Sequence, residues 1–539
     1  MRNPSTTRLD RAETTLAGDG DPGILRVLAD PATYGEQEPV AVHETHASWV
    51  FAAGERAYKI KKPVALGFLD YSTLERRRAA CLEEVRVNQE LAPGIYLGVR
   101  AIVRSDSGFA LVRGEDSREA IEWVVEMRRF HERDSLAGLI GSGRLASTHI
   151  DAVARRIAQF HLNAPVLASE DPRRALAVWK RNLRVLAAVS RPDEFPVQMA
   201  AEFADAFMHV HGAEIAERNR AGLVRDGHGD LRCEHVLVLP TVRIVDRVEF
   251  DSALRQVDIA SDLAFLTMDL EAHGQRWAAE ELVGAYRQAG LDTGSDALMS
   301  FHAAHRAQVR ATVERVNADE HDGERQEQML ERARSMWTLA ERLCWRARGP
   351  VALVICGPAG SGKSTLATEL SRRSGLEVVS SDAIRKSAAG LGADQRGSCE
   401  HYSEWFTHHT YKLLAVAALD AIRDRDGVIV DATCRSQSER SALLGGLSRA
   451  GATLLAVRCT VPLEVALERV ERRLYDPGRL SDADPQIVAE HYRSFQPLEE
   501  LAPGSVLALD TRQPLDGQVA EVARAVDHLI VLAAGRAHV

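Results

Sequence analysis

Two domains of different class are expected: an α+β domain over about the first 347 residues, then an α/β domain built on a parallel sheet. Three observations predict this. At 539 residues the chain exceeds what one compact core organises. A strand-rich opening gives way near residue 134 to long helical periodicity, interrupted once by a strand-loop-strand segment. From "VALVIC" onward, short apolar strands alternate with helices, the pattern of a parallel sheet covered by helices.

Residues 1–22 are polar and Gly/Asp-rich and read as a loose tail. "VAVHETHASWVFAAGERAYKIKK" reads as a hairpin around "AAGER". "STLERRRAACLEEVRVNQELA" is a helix, with Ser72 and Glu75 spaced as a capping box. "GVRAIVRSDSGFALV" returns to strands through the turn "SDSG", and "AIEWVVEMRRF" adds another. Helices such as "HIDAVARRIAQFHL" follow. Residues 228–251 form strand-loop-strand, and helices dominate again to 347. The helix around 324–347 is either the last of the first domain or a connector. The expected segments are a tail at 1–22, a first domain at 23–347 and a second at 348–539. In the second, "VALVIC", "EVVSSD", "GVIVDAT", "TLLAVRCTV" and "SVLALD" are the strands.

The net charge of -10 argues against a mainly nucleic-acid or anionic-membrane partner. The seven cysteines show no zinc-like or CxxC spacing, which suits buried thiols in a reducing cytosol. The N-terminus lacks an apolar signal core, and no run approaches the roughly 20 apolar residues of a membrane span. A cytoplasmic protein acting on a small molecule is the expectation.

"GPAGSGKST" carries the spacing G-x-x-x-x-G-K-[ST] between a strand and a helix. Gly357, Gly360 and Gly362 let backbone N–H groups curl around phosphate oxygens at a helix N-terminus. Lys363 can reach the β and γ phosphates, Ser364 can ligate Mg²⁺, and Thr365 opens the same helix. Asp382 ends the strand "EVVSSD" and can orient or deprotonate an acceptor hydroxyl; a helix N-cap is its plainer role. Arg385 can contact an anionic or hydroxylated substrate. Asp431 ends "VIVD" and can position substrate or the metal's shell. Arg469, Arg472, Arg473 and Arg479 form an arginine-rich segment able to close over a transferring phosphoryl group, with Arg473 as the catalytic candidate. A solvated charge run is the plainer reading. These motifs resemble small P-loop kinases of the zeta toxin and gluconate kinase group, over about 350–510. The length, under 200 residues, leaves no room for the helical lid of ring-forming ATPases.

"HGDLRCEHVLVLPTVRIVD" raises a second site. In kinase-type phosphoryl transfer a loop Asp handles the acceptor hydroxyl, while an Asn five residues on and a hairpin Asp hold metal. Asp230 and Asp246 fit the two acids, but residue 235 is His. Upstream, Lys59 on a strand can neutralise phosphates, with Lys61 as fallback, and Glu84 on the next helix can lock it. The stretch resembles the aminoglycoside phosphotransferase-like kinases over roughly 40–340. That likeness implies that Asp258 and Asp262 brace the loop. Together the resemblances imply an α+β protein-kinase-like N-terminal domain followed by an α/β P-loop NTPase domain with a parallel sheet. They imply ATP and Mg²⁺ as cofactors and phosphorylation of small hydroxylated metabolites at two sites. His235 sets the question of metal binding, since Mg²⁺ prefers oxygen to imidazole nitrogen, with Glu234 and Glu249 as acids able to compensate. It also favours the rival reading: a nucleotide-sensing regulator with a degenerate first domain and an ATP-hydrolysing P-loop domain.

Overall fold

The computed structural model describes residues 23–45, 47–66, 69–105, 108–114, 118–167, 173–392, 395–473, 484–502 and 504–537. The chain forms two compact units. One comprises residues 1–169 and 218–293, the other 170–217 and 294–539.

The first unit opens with α1 (Gly23–Ala29) and the strands β1 (Ala41–Glu44), β2 (Ser48–Ala53) and β3 (Arg56–Lys61). A short ribbon, β4 (Ala65–Leu66) and β5 (Leu69–Asp70), leads into α2 (Leu74–Asn88). The N-cap of α2 is Thr73, whose hydroxyl accepts the Arg76 N–H at 3.3 Å. The expected box from Ser72 does not form, because the Ser72 hydroxyl donates instead to the Asp70 carboxylate at 2.6 Å. β6 (Tyr96–Ser105), β7 (Gly108–Arg113) and β8 (Ala120–Arg128) complete a six-stranded antiparallel sheet of order β1-β2-β3-β8-β6-β7.

Strand alternation sorts its two faces. Val125 packs with Cys81 and Val85 of α2, whereas Val124 packs with Trp49, Ile60 and Leu25 of α1. α3 (Leu136–Gly141) and α4 (Ser147–Asn163) follow. α5 (Arg173–Val189) and most of α6 (Val197–Arg220) belong to the second unit.

The first unit resumes with β9 (Val224–Asp226), a loop ending in a 3₁₀ turn at Cys233–His235, and the hairpin β10 (Val236–Val238) and β11 (Val242–Ile244). β12 (Gln256–Asp258) pairs back onto β9, and α7 (Ile259–Ala272) and α8 (Arg276–Gln288) close the unit.

The second unit continues with α9 (Asp296–Ala318) and α10 (Glu324–Ala347), then β13 (Val351–Cys356), α11 (Lys363–Ser374), β14 (Glu377–Ser380) and α12 (Ser381–Ala388). α13 (Glu404–Arg425), β15 (Gly427–Asp431), α14 (Gln437–Leu447), β16 (Thr453–Thr460) and α15 (Leu463–Arg473) follow. α16 (Pro485–Ser494), β17 (Val506–Asp510) and α17 (Leu515–Ala537) end it. The five strands are all parallel, in the order β14-β15-β13-β16-β17. Their side chains alternate between two apolar layers. Val354 and Val430 face Leu414 of α13 and Leu443 of α14, while Leu353 and Ile429 face Leu366 of α11 and Val522 of α17.

Trp345 of α10 belongs to that second layer, so α10 is part of the unit that holds the parallel sheet. Compactness therefore divides the chain differently from a single border at 348. The cysteines whose side chains are described are all buried free thiols. Among the described residues, no helix is long and apolar enough to cross a membrane.

Candidate functional site

In the first unit Lys59, Glu84, Asp230, His235 and Asp246, all singled out from sequence, converge. Lys59 Nζ lies 2.8 Å from Glu84 Oε1 and 2.8 Å from Asp246 Oδ1. Burial alone would push this ammonium down, but Asp246 and Glu84 hold it well above the usual lysine range. Lys61, two residues on and therefore on the same face of β3, reaches Glu84 Oε2 at 2.5 Å and pairs with Glu249. Burial would raise the Glu84 carboxyl, yet the two lysines bring it below the usual value. Asp246 lies just past β11 at φ 60°, a left-handed conformation uncommon for a residue with a Cβ. The Tyr96 hydroxyl accepts its N–H at 3.1 Å. Lys59 keeps the Asp246 carboxyl far below the ordinary carboxylate range.

The loop between β9 and β10 is held from beneath. Asp262, buried at the start of α7, accepts the N–H groups of His228 at 2.6 Å and Gly229 at 2.9 Å. Asp258 caps α7 through the Ala260 N–H and pairs with Arg218 at 2.8 Å. Burial pushes His228 down to about 4, so its ring is neutral at physiological pH. Its Nε2–H donates to Val245 O at 3.0 Å, and its Nδ1 accepts the Asp230 N–H at 3.2 Å.

His235 has a defined orientation. Its Nδ1 faces the Asp230 carbonyl at 2.8 Å and must donate there. In the neutral ring Nε2 is then an acceptor. It lies 3.3 Å from Arg232 Nη2 and 3.6 Å from Asp246 Oδ2. Arg232 was not singled out from sequence. Its guanidinium spans both oxygens of Asp230, with Nε at 3.1 and 3.2 Å and Nη2 at 3.1 Å, and it also pairs with Glu234. The readable signal was a cation two residues after the loop Asp.

In the second unit the parallel register brings the strand ends together. Asp431 of β15 is level with Ile355 of β13 and Ser380 of β14, and is 9% exposed. Asp382 sits in the first turn of α12; the N-cap position belongs to Ser380, so the plainer N-cap role does not apply. Between β13 and α11 the loop is tight. A Cβ at Gly360 (φ 79°) would lie 2.6 Å from the Ala466 carbonyl, and one at Gly362 (φ 92°) would meet Thr511 at 3.2 Å and Arg469 Nη1 at 3.3 Å. Only glycine fits either place. Lys363, the first residue of α11, donates to Pro358 O at 3.0 Å, and Ser364 beside it is exposed. This close-wound backbone at a helix N-terminus fits a polyphosphate.

Among the described residues of the arginine-rich segment, Arg469 reaches the loop. It donates to Thr511 Oγ1 at 2.9 Å and Thr511 O at 3.0 Å, and Thr511 in turn donates to Ser361 O at 2.8 Å. Arg472 pairs with Glu468 at 2.5 Å on the exposed side. The side chain of Arg473, and Arg479, lie outside the described residues. Arg385 is buried over the Tyr402 ring, 5.0 Å from its centroid, and donates to His401 O at 2.7 Å and Thr407 Oγ1 at 3.2 Å. Two further groups escaped the sequence reading. His491 of α16 has a buried Nδ1 without a hydrogen-bond partner, and burial followed by the charges of Lys363 and Arg435 pushes it down to about 4. Arg435 pairs with Glu490 at 3.3 Å.

The family described as an AAA domain matches residues 353–498, which is the P-loop core. Over 146 residues, 26% of this chain, the sequence is 32% identical to the adenylate kinase of Micrococcus luteus, covering 69% of that protein. A choline/ethanolamine kinase family protein from Mesorhizobium loti aligns structurally with 62% of this chain and 98% of its own, at 14% identity and TM-score 0.36. The parallel sheet, the phosphate loop and the family match define a protein with a C-terminal P-loop kinase domain, a class built for nucleotide-dependent phosphotransfer. Over 473 residues the sequence is 30% identical to "Uncharacterized protein Rv2004c" of Mycobacterium tuberculosis, covering 86% of this chain and 91% of that one. The chain belongs to the family of that mycobacterial protein.

Proposed function

We propose that the protein is an ATP- and Mg²⁺-dependent phosphotransferase with two nucleotide sites, each passing a phosphoryl group to a small hydroxylated metabolite. The observation that carries this is the phosphate loop with Lys363 and Arg469 against it and Asp431 at a neighbouring strand end. Phosphoryl transfer asks mainly for positioning and charge neutralisation. Gly357, Gly360, Gly362 and Thr365 would frame the phosphates, Lys363 would neutralise them, and Arg469, beside the loop, would offset the charge that builds during transfer. Arg473 stays a candidate for the same work. Mg²⁺, which Ser364 and Asp431 would hold, supplies further neutralisation between phosphates. Asp382 takes the acceptor proton. Arg385 is a proposed wall of the acceptor site, fixed by His401 and Thr407, so it would shape the pocket more than swing onto the substrate.

In the first unit Lys59, locked by Glu84, would meet the α and β phosphates. Asp246 with His235 would hold the metal, and Asp230 would act on the acceptor. One observation favours a second reading for this unit, a nucleotide-sensing regulator. The carboxylate of Asp230 is spanned by Arg232. Incubating the full-length protein with ATP and a panel of sugars, polyols and amino alcohols tests both. ATP-dependent phosphorylation of an acceptor is expected. Nucleotide binding with no phosphorylated product from any acceptor would favour the sensor.

A further inference from the structure

Three ligating side chains of different kinds meet beside the loop that carries Asp230. Cys233 is buried in the 3₁₀ turn, Asp269 is half-buried on α7, and His273 is exposed at the C-cap of the same helix. Asp269 and His273 are four residues apart and so share one helix face. The ligand atoms of the three all lie within 4.8 Å of one another. The Asp269 carboxylate is already oriented, because its Oδ2 accepts the Cys233 N–H at 2.8 Å.

We propose that Cys233, Asp269 and His273 form a binding site for a zinc-class divalent cation, separate from any Mg²⁺ at Asp246. A thiolate, an imidazole and a carboxylate form a mixed sulfur, nitrogen and oxygen set. That set suits Zn²⁺ or Co²⁺ and suits Mg²⁺ and Ca²⁺ poorly. Three protein ligands leave a fourth tetrahedral position for water. Donors around such an ion stand about 3.6 Å apart, so closing this cluster takes a movement of no more than roughly 1 Å. His273 is exposed and can swing to do this, while the buried Cys233 and the hydrogen-bonded Asp269 stay in place. When the ion enters, the Cys233 thiol loses its proton to solvent and the sulfur-metal bond forms as hydration waters leave. Arg232 lies close enough to feel Asp269, but Asp230 and Glu234 neutralise it. The bound ion would tie the loop to α7 between Asp230 and His235, so this site acts on the first unit through loop position.

The test uses the full-length protein, stripped with a chelator and titrated with Co²⁺. One equivalent should produce a near-ultraviolet thiolate-to-cobalt charge-transfer band with strong visible absorption. Zn²⁺ should displace it and Mg²⁺ should not. Cys233→Ser should abolish the band. His273→Ala, at an exposed position that leaves folding intact, should weaken binding by on the order of tenfold or more, since even outer partners of such ligands are worth 10–100-fold. No band in the wild type, a band that survives in Cys233→Ser, or unchanged affinity in His273→Ala would overturn the proposal.

Discussion

Single atoms decide most of the chemistry proposed here. Lys363 is the motif-fixed cation of the phosphate loop. Lys363→Ala should remove most of the thermal stabilisation that ATP–Mg²⁺ gives the second unit; an undiminished shift would defeat the P-loop assignment. Asp382→Asn keeps the shape and removes the base. ATP affinity should hold while transfer falls by about 10²–10⁴-fold, and wild-type turnover would point to Asp431 instead. His235 shows what one departure from a motif can change. The Asn expected there offers a carbonyl oxygen to the metal. The His keeps a donor on the Asp230 carbonyl and turns a second nitrogen toward Asp246. His235→Asn should therefore lower the Mg²⁺ concentration needed for nucleotide binding to the first unit, because Mg²⁺ favours oxygen. A raised requirement, measured by titration with a fluorescent ATP analogue, would make the imidazole integral to the site.

Between elements, Glu341 links α10 to the helix that begins with Lys363. It is 8% exposed, lies 3.6 Å from Arg373 of α11, and has an oxygen with no hydrogen-bond partner. Burial pushes its carboxyl up to about 7 despite Arg373. An acid raised in this way stays protonated in the folded state while the unfolded chain ionises. Stability therefore falls as pH rises from about 4.5 to 7, by about 3 kcal/mol in all. Glu341→Gln should raise the melting temperature at pH 8 by a few degrees and change it little at pH 4.5. Equal effects at both would show that the carboxyl is ionised when folded. What was legible in the sequence at this scale follows from local rules. The hairpin of β2 and β3, the α/β alternation and the phosphate loop are set by periodicity and glycine placement within short windows. Arg232 was missed and Ser72 misjudged as the cap because competing local partners decide them, Asp230 for the first and Asp70 for the second. His491 reaches its place only through the packing of α16, roughly 130 residues beyond Lys363.

For the molecule as a whole, the compact units do not follow the border near 348 that motif positions suggest. Trp345 packs into the sheet's apolar layer, and Arg348 pairs with Asp527 at 2.7 Å. A fragment of residues 349–539 should therefore melt below the matching transition of the full chain and be cut sooner by protease. Equal melting would make α10 a mere connector. The chain also leaves the first unit at 169, returns at 218 and leaves again at 293. Trp179 of α5 meets Phe203 of α6 at 6.1 Å but stacks on Phe301 of α9 at 4.5 Å, so its ring waits for that stacking partner roughly 120 residues later in the chain. On a ribosome that delay is about 6–25 s, long enough for an apolar helix to meet the wrong neighbour. The newborn chain thus carries α5 and α6 as half-covered passengers while the first unit is still being made. Its yield in a cell should depend on the chaperones that shelter them.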